Sequence, residues 1–440
     1  MKSQRPLRTD MNSTITPQPP SVAEPPTNLG TTARCLFCKA PLAHTLVDLG
    51  MSPLCESYRT AEQLNQMEPF YPLHVKVCGE CFLVQLEQYV SAEHIFTEYA
   101  YFSSFSDSWL KHSSNYVDMI SRRLRLGSGK LVVELASNDG YLLQYFVKQG
   151  IPVLGVEPAA NVARAAEEKG VPTLVRFFGC KTALEMVANG QMADLVVGNN
   201  VLAQVPDIND FVGGIRIVLK PGGIATLEFP HLIRLMRENQ YDTIYHEHFS
   251  YFSLITIEKI FAAHGLVLFD VEEIPTHGGS LRIYLRHLQD ESKSVSSAVV
   301  NLRVRELATG VKRMATYAAF AEQVMESKRK LLELLIQLRR EGKSVVGYGA
   351  PGKGNTLLNY CGIRTDFLEF TVDRNPYKQG RFLPGTHIPI YPVEQIRTRR
   401  PDYILILPWN LEPEIVSQLA YVRDWGGKFI VPSPMARILD

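Results

Sequence analysis

Three stretches of this 440-residue chain combine residue types and spacings that do chemistry. The first is a pair of cysteine knuckles, "CLFC" with Cys35 and Cys38, and "CGEC" with Cys78 and Cys81. Two residues between thiols let one tight turn present both sulfurs to the same ion. Two such turns complete a tetrahedral four-cysteine shell of the kind that holds structural zinc. The chain has seven cysteines, an odd number, and four of them in this pattern indicate metal rather than disulfides. A redox role is weaker, because neither pair opens an obvious helix after a strand. A nucleic-acid-binding finger is also disfavoured: from Cys35 to Cys81 three cations stand against five carboxylates, the wrong sign for phosphate. The zinc is read as a staple for a segment too small to hold itself together.

The second stretch is "TIYHEHFSYFS", residues 243–253. A zinc-protease helix would need its second histidine at 250, which is Ser250, so metal is the weaker reading. Acid/base chemistry suits the composition better. Histidine titrates near neutrality, a neighbouring carboxylate can fix its tautomer, and tyrosine can donate to a developing oxyanion. Phe249, Tyr251 and Phe252 are expected to pack.

The third is "VGYGAPGKGN", in which Gly347, Gly349 and Gly352 match G-x-G-x-x-G and Asp373 follows at the distance of a ribose-binding acid. By spacing this is an NAD fingerprint, and it makes an NAD-dependent oxidoreductase the rival reading. A P-loop is excluded by Gly354, where magnesium binding needs Ser or Thr. The preferred reading is that the turn, with Gly349, Lys353 and Asn355, grips a diphosphate.

These groups need a scaffold. From residue 130 short apolar runs alternate with helical stretches, the pattern of a parallel sheet covered by helices. "KLVVELASNDG" predicts a strand and turn, "YLLQYFVKQG" a helix, "IPVLGVEP" a second strand and "AANVARAAEEKG" its helix. "ADLVVGNNVL" and "GGIATLEFP" supply later strands, and "LVLFDVEEI" with "GGSLRIYLRH" an antiparallel pair at the sheet edge. Seven strands closed by a hairpin partner are the arrangement of S-adenosylmethionine-dependent methyltransferases, whose ligand crosses the carboxyl ends of the strands. Glu134, with the turn of Ser137, Asn138 and Gly140, is then placed at the methionine part, and Glu157 before Pro158 at the ribose hydroxyls. Asn199 and Asn200 end a further strand on the same side.

Length predicts two or three domains: a disordered tail over 1–31, a zinc domain over 32–90, a methyltransferase domain with a helical lead-in over 91–290, and a C-terminal unit with a helical connector over 291–440. A net charge of +1 gives no bulk attraction for nucleic acid or an anionic membrane. No apolar run is long enough for a signal sequence or a membrane span, so the expected location is cytoplasmic. Nothing in the sequence separates a monomer from a homo-oligomer.

In order, "CLFC", "CGEC", "YAYFSS", "ELASNDGY", "YHEHFSYFS", "HGGSLR" and "VGYGAPGKGN" make residues 33–440 resemble the zinc-containing sugar C-methyltransferases, which act on nucleotide-linked 4-keto-deoxysugars. The resemblance implies an α/β architecture: a small zinc domain, a central seven-stranded Rossmann-like methyltransferase domain and a C-terminal Rossmann-like domain, with the sugar nucleotide between them. It implies S-adenosylmethionine as cofactor and structural zinc. It places the family's tyrosine, glutamate and histidine at Tyr245, Glu247 and His248, and a further active-site tyrosine in "YAYFSS", best at Tyr101, with Tyr99 the other choice. His248 would be the base, Glu247 would orient its ring, and Tyr245 or Tyr101 would hold the enolate oxygen. His277, Gly278 and Arg282 of "HGGSLR" would line the substrate cleft. Family members often have histidine where this chain has Gln204, which can hydrogen-bond but cannot shuttle a proton. A zinc-bearing assembly module without catalysis is the third reading, and Gln204 is its only hint.

Overall fold

The computed structural model of the protein describes residues 33–96 and 103–439. The expected tail, Tyr99 and Tyr101 lie outside them. Three sheets organise the described residues, each assembled where apolar runs of strand length meet turn residues.

The first sheet is antiparallel. His44–Ser52 pairs with Tyr71–Val77, which pairs with Val84–Leu86. Along Tyr71–Val77 the side chains Leu73, Val75 and Val77 are buried in strict alternation, the period of a strand with one covered face. A fourth strand arrives from far along the chain: Ser250–Tyr251, inside the histidine stretch, pairs with Val84 and Gln85.

The second sheet has seven strands. Val132–Leu135 lies between Val153–Val156 and Ala193–Asn199, all parallel, so the strand order reverses at its carboxyl end. That reversal opens a crevice above the sheet, where ligands of such folds sit. Thr173–Leu174 extends one edge with only two residues, too few for periodicity to reveal. Of the expected hairpin pair, only Leu266–Ile274 is at the edge. Ser280–His287 is inserted between it and Leu219–Pro230, antiparallel to both.

The third sheet repeats the plan. Val345–Tyr348 lies between Thr371–Val372 and Tyr403–Ile406, and its glycine turn leads into the helix Gly352–Cys361. The helical stretch before it divides at residues 309–313 into Ser297–Ala308 and Met314–Arg340. The longer helix buries Tyr317, Phe320, Val324, Leu331, Leu335 and Leu338, one apolar stripe at helical spacing. That stripe shares a single cluster with Leu46 and Val75 of the first sheet, Ile244 of the histidine stretch, and Leu358 and Leu405 of the third unit. No helix among the described residues is long and apolar enough to cross a membrane.

One buried carboxylate pins the shorter helix to this assembly. Glu306 accepts the amides of Leu254 (2.7 Å) and Ile255 (3.0 Å) at the start of helix Leu254–Ala263, and contacts His231 Nε2 at 2.7 Å. The carboxylate occupies the amide-rich, electropositive end of a helix whose cap, Ser253, accepts from Thr256 N. Glu306→Ala should cost about 3–5 kcal/mol, because it strands a buried histidine and two buried amides. Calorimetric unfolding should show a lowered midpoint, and an unchanged midpoint would contradict this role.

Candidate active site

A cavity of about 490 Å³ lies over the carboxyl ends of the central strands of the seven-stranded sheet. Its opposite wall is built from Cys55 and Glu56, from the histidine stretch, and from Pro351 to Lys353 of the third unit.

On the sheet side the turn after Val132–Leu135 passes through left-handed backbone at Ala136 (φ 55°), Asn138 (φ 47°) and Gly140 (φ 72°). This contortion brings the amide of Asn138 to Glu157 Oε2 at 3.0 Å, while Ala159 N reaches Oε1 at 3.0 Å. Each carboxylate oxygen can accept more than one hydrogen bond, so Glu157 keeps lone pairs for the cavity it lines. Burial pushes its carboxyl up, and the two amides oppose that. Asn199 also lines the cavity, and among the described residues neither atom of its side-chain amide has a partner. An unpaired buried amide beside a cavity is a site for a polar ligand. Pro158 and Asn200 complete this wall.

Three expected cofactor residues stand behind the wall rather than on it. Glu134 is wholly buried, and burial raises its carboxyl far above the usual range. Ser137 is likewise enclosed. A Cβ on Gly140 would come within 3.2 Å of Ala166 and Val171, so this glycine lets the helix Ala160–Glu168, which follows the second strand, pack closely on the turn.

Tyr245, Glu247, His248 and Lys353 on the facing side, with Gln204 and His277 from loops of the seven-stranded sheet's own unit, line the same space. His248 Nδ1 lies 3.2 Å from the carbonyl of Thr243, and a carbonyl only accepts, so the neutral ring carries its proton on Nδ1 and its lone pair on Nε2. Burial first, with the Lys353 cation beside it, holds the imidazole down to about 4, against the hydrogen bond to the Thr243 carbonyl. The Tyr245 ring lies against it, with centroids 4.1 Å apart. Burial pushes the Tyr245 phenol well above its ordinary range, so it stays a donor. The expectation that Glu247 orients the imidazole is corrected: Thr243 holds the ring, while Glu247 Oε1 accepts from the Cys55 thiol at 3.7 Å.

Lys353 reaches Asn410 Oδ1 at 2.7 Å and sits over the Trp409 ring, 4.8 Å from its centroid. The Trp409 indole in turn donates to Asp242 at 2.6 Å, so the ammonium is braced from two sides. Burial lowers the Lys353 ammonium, and Asp242 opposes this.

Four other expectations are corrected. Arg282 lies in register with Glu228 and Glu272 inside the sheet and pairs with both, at 2.7 and 2.6 Å, which takes its guanidinium away from the cavity. Gly278 (φ 87°) is required because a Cβ there would come within 2.9 Å of Gln240 and Trp409. Gly349 (φ 88°) is required because a Cβ would lie 2.6 Å from Pro408. Asn355 donates to the carbonyl of Cys55 at 2.6 Å, a cross-link rather than a wall. The NAD fingerprint fares no better. Asp373, which would take a ribose, is not among the residues that line the cavity, and its carboxylate accepts the amides of Ala350 (2.7 Å) and Asn375 (2.8 Å) of its own turns.

Sequence reasoning missed Trp109, Cys55 and Lys378 on the walls. Trp109 stands in the polar run "FSDSWLKHSS", where its helical spacing to Tyr116, Val117 and Ile120 marks it as a packing residue and gives no sign of a cavity. Cys55, a cysteine outside both pairs, gave a comparable hint. Lys378 gave none.

The four knuckle cysteines converge as expected. Their sulfurs all lie within 4.8 Å of one another, with Cys35 to Cys81 and Cys38 to Cys78 at 3.5 Å. A tetrahedron of Zn–S bonds of about 2.3 Å has edges of about 3.8 Å, so the shell fits zinc. The two knuckles share one conformation. Lys39 and Phe82, each following a second cysteine, are both left-handed (φ 61° and 65°), and each donates its amide to the carbonyl of the first cysteine.

With this geometry in place, comparisons with known proteins are decisive. Family models match as a zinc binding domain over residues 35–96, a methyltransferase domain over 110–271 and a C-methyltransferase C-terminal domain over 275–434. The C-methyltransferase NovU of Streptomyces niveus is 36% identical over 395 residues, 90% of this chain and 94% of NovU. The chain belongs to this family of zinc-containing C-methyltransferases. It is an S-adenosylmethionine-dependent enzyme with a structural zinc site. A ubiquinone biosynthesis O-methyltransferase of Bradyrhizobium sp. (strain ORS 278) is 32% identical over 24% of this chain and 42% of its own. An S-adenosylmethionine-dependent methyltransferase from Clostridium acetobutylicum ATCC 824 covers 40% of this C-methyltransferase and 92% of its own chain, at 13% identity and a TM-score of 0.33.

The C-methyltransferase should purify with about one zinc per chain, counted by atomic emission, because one closed four-thiolate shell is present. Cys38→Ser should lose metal and lower the unfolding midpoint. A metal-free wild type of full stability would contradict the staple.

Proposed function

We propose that this C-methyltransferase methylates the carbon next to a ketone in a nucleotide-linked deoxysugar, through an enolate. The observation that carries the reading is a single cavity with Glu157 and Asn199 on one wall and an unprotonated imidazole, a buried tyrosine and a braced ammonium on the other. The ordered motifs shared with the sugar C-methyltransferases support the substrate class.

Glu157 accepts the ribose hydroxyls of S-adenosylmethionine, and Asn138, Pro158, Asn199 and Asn200 line its place. When bound, the cofactor supplies an electrophilic methyl group. The work of the chain is to make a carbon nucleophile. His248 Nε2 takes the proton from the carbon beside the ketone, and Tyr245 donates to the oxygen that becomes anionic. By the family resemblance Tyr101, outside the described residues, is the alternative donor to Tyr245. Lys353 meets the diphosphate, and Lys378, held by the carbonyl of Ala350 at 2.9 Å, adds a second cation to the cavity wall. Gln204 offers the substrate an amide in place of an imidazole. Holding carbon and methyl donor in one enclosed site contributes about 7–11 kcal/mol toward the barrier.

Calorimetric titration with S-adenosylmethionine and with NAD tests the cofactor assignment. Glu157→Ala should weaken S-adenosylmethionine about 10–100-fold, the worth of one or two hydrogen bonds to a charged group. Tight NAD binding without S-adenosylmethionine binding would overturn the reading. His248→Ala should abolish methyl transfer while keeping cofactor affinity, and full activity in that variant would move the base elsewhere.

The acid limb of kcat/KM reports the free enzyme's base. A depressed imidazole stays unprotonated as pH falls, so the limb should lie near 4 rather than at the ordinary histidine value of 6.5. A limb at 6.5 would contradict burial as the control.

A further inference from the structure

We infer that His277 is a second substrate-contacting group, whose Nδ1–H donates to the ketone oxygen as that oxygen becomes an enolate. The inference rests on the proposed function above and adds to it a residue and a role.

Three features of His277 point the same way. Its ring is exposed into the cavity, and its Nε2 lies 3.1 Å from Asn200 Nδ2. An amide NH₂ only donates, so Nε2 accepts and the proton of the neutral ring sits on Nδ1. Among the described residues Nδ1 has no hydrogen-bond partner, and the cavity is where it can find one.

The backbone is the second feature. His277 has φ 53° and ψ 29°, left-handed, and is followed by Gly278 (φ 87°) and Gly279 (φ 116°). A side chain in this region costs about 1–2 kcal/mol relative to glycine. The chain keeps histidine at the one position of this turn that faces the cavity, and strain of this kind gathers at functional sites.

The third is bracing. The ring lies edge-on to Trp109, with centroids 5.1 Å apart. Trp109 is stacked on His112 at 4.9 Å, and His112 Nε2 is 2.9 Å from Glu228, itself clamped by Arg282. A donor held this way needs no reorganisation when charge develops. The groups whose charges reach His277 are Lys353, Glu228 and His112; surrounding protein and the Lys353 cation keep it unprotonated, and Glu228 opposes them. A neutral imidazole can stabilise an enolate by hydrogen bonding without surrendering its proton.

The balance closes. His248 takes the proton, the C–H pair becomes the C=C bond, and the carbonyl π pair moves onto oxygen, where His277 and Tyr245 donate. As the new C–C bond forms, the carbonyl is restored and the S–C pair stays on sulfur. The proton on His248 leaves to water, and His277 ends as it began.

Asparagine tolerates left-handed backbone and can place an amide N–H near the position of Nδ1, whereas glycine relieves the strain and removes the donor. His277→Asn and His277→Gly are to be compared with wild type on thymidine-, guanosine- and cytidine-diphosphate 4-keto-6-deoxyhexoses. The readouts are deuterium wash-in at the carbon beside the ketone and kcat for methyl transfer, with cofactor affinity and zinc content as controls for folding. Loss of one oxyanion donor predicts wash-in and kcat lower by about 10²–10³-fold in the glycine variant, with the asparagine variant well above it. A purely structural role predicts glycine at least as active as asparagine, and that result overturns the inference. Wild-type wash-in matched by His277→Gly overturns the role of His277 alone. No wash-in by wild type on any of the three overturns the proposed function and this inference with it.

Discussion

One segment ties the three sheets to each other, and it is the segment that carries His248, the base proposed above. Phe249 gives its amide to the carbonyl of Ala203, beside the seven-stranded sheet, and its own carbonyl receives the amide of Leu86 in the first sheet. The next two residues pair with that sheet as a strand. The carbonyl of Ile244 accepts from Thr356, on the helix after the third sheet's glycine turn, at 2.8 Å. A buried irregular stretch must satisfy its backbone polar groups somewhere. Here each partner belongs to a different unit, so the position of His248 is set by all three.

The same burial sets the charges. Removal from water favours neutral forms, and the cavity walls hold two unprotonated imidazoles, a protonated phenol and a lysine whose ammonium is destabilised. The exception lies deeper. Glu228 stays ionised because His112 and Arg282 both reach it, and its carboxyl is lowered despite near-complete enclosure. That ion cluster stiffens the sheet behind Trp109 without meeting the substrate space. Zinc does comparable work for the N-terminal sheet, which has few strands of its own and borrows one from the histidine stretch.

The parts of the site legible in the sequence were those whose chemistry is written locally. The paired cysteines, the acid ending a strand before Pro158, and the Tyr-x-Glu-His order each depend on near neighbours, and they lie where a metal shell and a cavity wall require. What was not legible depends on distant partners. Arg282 reads as a cleft residue until its register with Glu228 and Glu272 is known. Gly349 and Asp373 spell a nucleotide fingerprint, yet Pro408 packs against the turn at Gly349 and Asp373 stands off the cavity wall. Cys55 and Lys378 join the cavity only because the first and third units close on it. Most strands followed from apolar runs, whereas Thr173–Leu174 was too short to announce itself.

The central claim is that cofactor and ketosugar meet in one cavity between the seven-stranded sheet and the histidine stretch. A crystal structure of the enzyme with S-adenosylhomocysteine and a nucleotide-linked ketosugar tests it most directly. The account predicts ribose hydroxyls on Glu157, the sugar ring beside His248 and the diphosphate at Lys353. An adenosine seated on the Gly347–Gly352 turn with its ribose on Asp373 would contradict it.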